Sequence, residues 1–257
     1  MTDNETPLRR RLGRQPLAAL WMSVGSPTIV ELSRQARADV IVIDMQHGLW
    51  DRATLEQAVG AVAPGTPALV RVGENAPLAI GQALDAGAEG VIVPLVESAE
   101  EAAQAVAAAR FPPHGNRSGG GVRPLATGFI DYCVAANERT VVGVMIETAR
   151  GVKKAAEIAA TPGVDFVLIG TGDLMLSLGT TDTDGACRSV LKACQKAGIA
   201  CAIYTMNADA AAKRAAEGYA LVTVASDIDV IIHGFGSAVQ QFRKAAPAKA
   251  KSRTGKT

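Results

Sequence analysis

The chain has 257 residues, with 26 Lys and Arg against 25 Asp and Glu and a formal net charge of +1, enough for one domain with a sizeable core. Balanced charge leaves no excess of cations for phosphate or anionic lipid and argues against a nucleic-acid or membrane-surface protein. No apolar run approaches the roughly 20 residues of a bilayer span. With no apolar signal stretch after a charged start, the cytoplasm is the expected compartment. Four cysteines (Cys133, Cys187, Cys194, Cys201) form no CxxC pair or zinc-like spacing and read as reduced thiols. Basic residues gather at the ends, Arg9, Arg10, Arg11 and Arg14 at one and Lys249, Lys251, Arg253 and Lys256 at the other. Residues 1–15 and 245–257 are therefore expected to be solvated and disordered, flanking a domain over 16–244.

In chain order, short Val- and Ile-rich runs occur at Ala18–Met22, Val40–Asp44, Ala68–Val72, Gly90–Leu95, Val141–Glu147, Phe166–Gly170, Ala200–Tyr204 and Leu221–Ala225. Ala-rich amphipathic segments alternate with them, beginning near Ser26, Asp51, Pro77, Ser98, Ala149, Asp184, Asp209 and Asp227, several opened by Ser, Asp or Pro as helix starts. Apolar strands separated by helices are parallel strands buried on both faces. Eight such units predict a (β/α)8 barrel, with a doubly wound open sheet as the alternative. Phe111–Thr140 breaks the rhythm with many Gly and Pro residues and reads as an elaborated loop carrying a short helix near Ile130–Asn137.

Barrel enzymes carry their chemistry where strands end. Asp44 and His47 follow the second run, Arg71 lies in the third, Glu147 ends the fifth and Asp173 follows the sixth. The Asp44-x-x-His47 spacing allows a carboxylate to hold one imidazole nitrogen and make a general base of the other; it reads equally as a capping group beside a surface histidine. Glu147 and Asp173 are two hard oxygen ligands on adjacent strand ends, suited to Mg²⁺ or Mn²⁺. The competing readings are an N-cap for Asp173 and a pairing of Glu147 with Arg71 or Arg150. The Gly170-Thr171-Gly172-Asp173 turn offers backbone N–H groups to a carboxylate or phosphate, or is an ordinary tight turn. No lysine stands at a strand end, which disfavours Schiff-base chemistry. There is no GxSxG elbow, and Gly255-Lys256-Thr257 lacks the first glycine of a P-loop.

Taken together, Val42–His47, Leu69–Arg71, Leu84–Ala88, Val91–Pro94, Arg110–Arg117, Ile146–Thr148 and Leu168–Leu174, in this order over Leu17 to Ala238, resemble the HpcH/HpaI aldolase family of metal-dependent pyruvate aldolases. The resemblance implies a phosphoenolpyruvate/pyruvate-type barrel and reversible aldol chemistry, in which pyruvate or another 2-oxo acid becomes an enolate that attacks an aldehyde. It implies Glu147 and Asp173 as ligands of a divalent metal (Mg²⁺, Mn²⁺ or Co²⁺), with the Gly172 and Asp173 amides on the substrate carboxylate. Arg71 would stabilise the enolate oxygen, His47 oriented by Asp44 would move the proton, and Asp85 would come from a neighbouring subunit. It further implies a hexamer, a trimer of dimers, with the C-terminal helix Asp227–Lys244 exchanged between protomers. Tyr204 stands where an aldehyde contact is expected, or closes the barrel as a half-buried aromatic. Three departures from the family's pattern bear on metal affinity, rate and substrate choice: Gln46 where Glu is usual, Met145 where Gln is common and Thr171 in place of a frequent Pro. Two other readings stand beside the aldolase. One is decarboxylation of oxaloacetate or citrate-lyase-like cleavage; the other is a barrel that binds 2-oxo acids without catalysis.

Overall fold

A computed structural model describes residues 7–126 and 128–246. Eight strands, β1 (Leu17–Met22), β2 (Val40–Asp44), β3 (Ala68–Arg71), β4 (Gly90–Val93), β5 (Val141–Ile146), β6 (Phe166–Ile169), β7 (Ala200–Ile203) and β8 (Leu221–Ser226), pair in sequence order. All pairs are parallel, and β1 closes on β8 through Leu17 opposite Leu221, so the sheet is a closed (β/α)8 barrel with no open edge. The helices are α1 (Leu8–Arg11), α2 (Pro27–Ser33), α3 (Arg52–Ala61), α4 (Pro77–Asp85), α5 (Ala99–Ala109), α6 (Val122–Ala126) and α7 (Phe129–Arg139). They continue with α8 (Ala149–Lys153), α9 (Ala155–Ala159), α10 (Thr171–Leu178), α11 (Asp184–Ala197), α12 (Ala208–Ala216) and α13 (Asp227–Ala245).

Helix starts follow the expected chemistry. The side chains of Ser26, Asp51, Ser98, Thr148, Asn207 and Ser226 each accept the backbone N–H three residues on, which satisfies a donor the helix cannot and contributes about 1 kcal/mol per cap. Strand residues alternate between two cores. Leu17, Ala19, Val42, Leu69, Ile92, Phe166 and Leu168 fill the barrel, whereas Ile41, Ile43, Val70, Val91, Val144, Val167 and Ile203 pack outward under the helices. Gly143 sits inside the barrel because a Cβ there would strike the Phe166 ring.

The N-terminal expectation is corrected between residues 7 and 15. Leu8 is 1% exposed and joins the core inside the barrel, closing its lower end. Its N–H donates to Glu89 Oε1 at 2.6 Å. Arg9 donates through Nε to Asp165 Oδ1 at 2.7 Å and reaches the Thr140 carbonyl, and the buried Arg11 pairs with Asp39 at 3.0 Å. Arg9 and Arg11 are not free solvated charges, because carboxylates and carbonyls at the strand starts receive them, whereas Arg10 and Arg14 are exposed. The basic tail from residue 247 lies outside the described residues, and α13 runs one residue past the expected domain end. Within the elaborated loop the short helix foreseen at Ile130–Asn137 is the longer α7, preceded by α6.

No helix among the described residues is long and apolar enough to cross a membrane. Along α13, Ile228, Ile232, Phe235, Val239 and Phe242 recur at helical spacing and are all exposed.

Leu8→Ala should cost about 2–5 kcal/mol, the range for a truncated core leucine. A denaturant midpoint equal to that of the unaltered protein would show that α1 is not the plug described.

Candidate active site

The C-terminal ends of the strands surround a cavity of about 230 Å³. It is lined by Trp21 and Ser23 of the β1 end, Asp44 and His47, Arg71, Met145 and Glu147, the Gly170–Asp173 turn, Tyr204, Ser226 and Ile228. Every sequence-predicted site residue except Asp85 is therefore brought together here.

Arg71 and Asp44 meet as a buried fork, Nε to Oδ1 at 2.7 Å and Nη2 to Oδ2 at 2.5 Å. Trp21 Nε1 adds a hydrogen bond to Asp44 Oδ2 at 3.2 Å, and the Trp21 ring lies 5.0 Å from the Arg71 guanidinium carbon. Burial alone would raise the Asp44 pKa. The hydrogen bond and charge of Arg71, with the Trp21 indole and the His47 backbone N–H, outweigh it and hold the carboxyl below its ordinary value.

This pair corrects one expectation. Asp44 receives the backbone N–H groups of Gln46 and His47 at 3.1 and 3.3 Å, not the His47 ring. Its two oxygens are taken by the guanidinium, whose planar donors match a carboxylate better than an imidazole three residues along the chain. The turn is thus Asx-like, and it leaves the exposed His47 ring directed by the backbone at the cavity's rim.

Glu147 follows β5 and is 1% exposed. Its Oε1 accepts the Leu95 N–H at 2.7 Å. Leu95 itself has φ +55°, the left-handed region that leucine rarely enters, so backbone strain is spent on aiming that N–H at the carboxylate. Oε2 is buried with no protein partner. A Cβ on Gly170 would strike this oxygen, so the glycine makes the space the carboxylate occupies. Burial pushes the Glu147 pKa up, the Leu95 bond opposes it, and the charge of Asp173 raises it further. Arg150 pairs with Glu97 at 3.2 Å, and the Arg71 fork is on Asp44, so neither arginine forms an ion pair with Glu147.

Asp173 stands in the first turn of α10, whose N-cap is Gly170, so Asp173 is not the cap itself. The N–H groups of Thr171, Gly172 and Asp173 belong to a first turn that has no intrahelical acceptors and carries the positive end of the helix dipole. Tyr204 packs edge-on to Trp21 with centroids 5.2 Å apart; burial, and then the Asp229 charge, raise its pKa and keep the phenol a donor.

The donor set fits a hard divalent cation. Of the three carboxylates lining the cavity Asp44 is paired with Arg71, which leaves Glu147, with an orphaned buried oxygen, and Asp173; no cysteine lines the cavity, and its one histidine, His47, stands at the rim. Among the described residues no three His, Cys, Asp or Glu side chains cluster for a metal. Glu147 and Asp173 would thus be the only protein ligands, the rest being left to water and substrate, as Mg²⁺ commonly has it.

Asp85 ends α4 at the opposite face of the barrel and pairs with Arg117 at 2.7 Å, whose guanidinium lies over the Phe111 ring at 4.4 Å. Trp21, Ser23, Ser226 and Ile228 were not singled out from the sequence. Each sits at or just past the end of β1 or β8, and the strand-end rule applied to ionisable closures alone passes over an indole inside a strand and over the two serines.

Residues 17–234 match the HpcH/HpaI aldolase/citrate lyase family. A hydroxypyruvate/pyruvate aldolase of Paraburkholderia phytofirmans is 34% identical over 95% of this chain and 100% of its own length. A 4-hydroxy-2-oxovalerate aldolase of Rhodococcus jostii is 34% identical over 88% and 91%. The crystal structure of an HpcH/HpaI aldolase/citrate lyase family protein from Burkholderia cenocepacia J2315 superposes with a TM-score of 0.87 at 36% identity, over 92% of this chain and 98% of that one. The chain belongs to the HpcH/HpaI aldolase/citrate lyase family, and it is an enzyme of the aldehyde-lyase kind.

Removing one partner of the Asp44–Arg71 pair strands the other charge. Arg71→Leu should lose about 3–5 kcal/mol of stability, and adding Asp44→Leu should restore much of it. Because the Asp44 pKa is lower folded than unfolded, its contribution is present above the ordinary carboxylate range and fades as pH falls through the folded value. Denaturant melts from pH 7 downward should thus lose less stability to acid in the double variant than in the unaltered chain.

Proposed function

We propose that the chain catalyses the reversible cleavage of a 4-hydroxy-2-oxo acid to pyruvate, or a related 2-oxo acid, and an aldehyde, and that it needs a divalent cation to do so. The observation that carries this reading is Glu147: buried, aimed by a strained Leu95, and left with one oxygen unpartnered beside Asp173. Glu147 and Asp173 would hold Mg²⁺, Mn²⁺ or Co²⁺, whose chemistry when bound is that of a Lewis acid for a carbonyl oxygen.

The chain's own groups supply binding, orientation and proton transfer. The first-turn N–H groups of Gly172 and Asp173 receive the carboxylate of the 2-oxo acid. Arg71, held in plane by Asp44 and Trp21, keeps its remaining N–H donors for the oxygen that gains charge as the enolate forms. His47, at the cavity rim, takes the proton of the C4 hydroxyl in cleavage and delivers it to C3 of the enolate, and in condensation it carries a C3 proton the other way. Tyr204 faces the aldehyde.

The exposed stripe on α13 supports a homo-oligomer, and by the family resemblance it would be a hexamer in which Asp85 of the partner subunit would serve each cavity. The Asp85 carboxylate would be presented by Arg117, which is almost wholly buried around it.

Pyruvate in D₂O should exchange its C3 hydrogens when Mn²⁺ or Mg²⁺ is present and stop with chelator. His47→Ala should slow exchange by about 10²- to 10⁴-fold. Exchange that ignores the chelator sinks the cation reading. Gly170→Ala should weaken Mn²⁺ binding, measured by calorimetry without substrate, because the added methyl displaces the Glu147 carboxylate. Undiminished Mn²⁺ affinity in a folded Gly170→Ala protein would mean that Glu147 is not a ligand. Phe235→Asp with Phe242→Asp should shift the sedimentation coefficient to that of a monomer, and an assembly unchanged by both would place the interface elsewhere.

A further inference from the structure

The first residue of α13 reaches back to the loop that follows β1. Asp227 is 7% exposed, and backbone N–H groups from that loop fill its carboxylate: Ser23 donates to both oxygens at 2.9 and 3.0 Å, and Val24 to Oδ2 at 2.9 Å. The Ile228 N–H adds a third donor at 2.9 Å. The helix start does not require this, because Ser226 already caps α13 by accepting the Asp229 N–H. A buried carboxylate is costly unless donors surround it, and two of the three donors belong to the β1 loop. Asp227 directly follows the last residue of β8, so it stays on its own barrel whatever the rest of α13 packs against.

Ser23 passes this anchorage on to the turn that carries His47. Its carbonyl accepts the Leu49 N–H at 2.8 Å and its hydroxyl donates to Asp44 Oδ2 at 3.4 Å, so all three of its polar groups are engaged. One residue earlier, the Met22 carbonyl accepts the Trp50 indole N–H at 2.9 Å. The two segments meet backbone to backbone. A Cβ on Gly25 would strike the Leu49 carbonyl, and one on Gly48 would come within 3.0 Å of the Ser23 carbonyl oxygen. His47 lies between these ties, its N–H on Asp44 to one side and Leu49 and Trp50 fastened to the other. The ring itself is exposed, so its place at the rim is set by the backbone beneath it.

We propose that Asp227 is a positioning residue for His47: by binding the Ser23 and Val24 N–H groups it fixes the β1 loop, and through that loop the place of the imidazole at the cavity. The inference rests on the proton-transfer role given to His47 in the aldol reading. Asp227 is not among the residues that line the cavity, and it acts through the loop alone. Displacing a proton-transfer group by about 1 Å is enough to cost about 10²-fold in rate. Glu147 and Asp173 follow β5 and β6, across the barrel from β1 and β2. Loss of the Asp227 carboxylate therefore separates proton transfer from cation binding.

Asp227→Asn replaces one acceptor oxygen by a donor. At saturating pyruvate and Mn²⁺ in D₂O it should slow C3 exchange by about ten- to hundredfold, within what His47 itself supplies. The half-saturating pyruvate concentration and the calorimetric Mn²⁺ affinity should stay as in the unaltered protein. In a His47→Ala background the same substitution should slow exchange no further, because the group it acts through is gone. Trp50→Phe removes the second tie and keeps an aromatic ring; it should behave in the same way, and it decides the matter if Asp227→Asn does not fold. Full exchange in either folded variant, an equal further loss in the His47→Ala background, or Mn²⁺ affinity that falls in step with the rate overturns the proposal. Absence of metal-dependent exchange in the unaltered protein is a different result: it defeats the aldol reading beneath, and this inference with it.

Discussion

Three carboxylates and one guanidinium share the mouth of the barrel, and the way they divide governs the rest of the site. Asp44 pairs with the guanidinium through two short bonds in a buried setting. That pairing fixes Arg71 in one plane and sets it against Trp21, which in turn abuts Tyr204. It also leaves Glu147 and Asp173 facing each other uncompensated, with burial already disfavouring the charge on Glu147. A buried carboxylate in that position is costly to keep unless something positive joins it. The strain at Leu95 and the glycine at 170 are further costs incurred to keep Glu147 where it is. Stability is given up at this end of the barrel for a place where positive charge is wanted.

Most of the architecture was legible because parallel strands buried on both faces must be apolar throughout and their helices must announce their starts. β2 was found to the residue, and the other strands within a residue or two at either end. The overshoots at Val72, Leu95, Glu147, Gly170 and Tyr204 have one cause: strand-end residues remain apolar or buried after the ladder stops, so composition cannot mark the last hydrogen bond. The candidate site was legible to the same extent. Asp44, Arg71, Glu147 and Asp173 close strands, and the barrel brings strand ends together whatever their sequence distance. Pairing inside the site was not legible. Asp44 lies three residues from His47 and 27 from Arg71, yet it bonds Arg71, because β2 and β3 are neighbours with Asp44 and Arg71 in register. Arg9 and Arg11 misled for a related reason, since arginine in a terminal run gives no sign of the distant carboxylates that receive it.

The three departures from the family's pattern have physical places. Gln46 lies in the turn that Asp44 holds together, and its amide oxygen is buried without a partner. Met145 precedes Glu147 by two residues, its methyl 2.8 Å from where a Cβ on Gly170 would stand, so it offers packing where a polar residue would offer a hydrogen bond. Thr171 donates its hydroxyl to the Tyr204 carbonyl at 3.3 Å and so ties the β6 end to the β7 end, a link a proline cannot make. Each substitution leaves the two acidic ligand candidates in place and alters what surrounds them.

The plug at the lower end of the barrel carries an implication for the order of assembly. Arg9 and its acceptor Asp165 are 156 residues apart in the chain. The seat of α1, begun by Asp39 and Glu89, is therefore complete only after five of the eight strands have been synthesised, and the closure entropy of so long a loop defers its final docking toward the last stages of collapse. A slow final step, sealing the bottom of an already wound barrel, would follow from one leucine and two arginines that seemed at first to belong to a loose end.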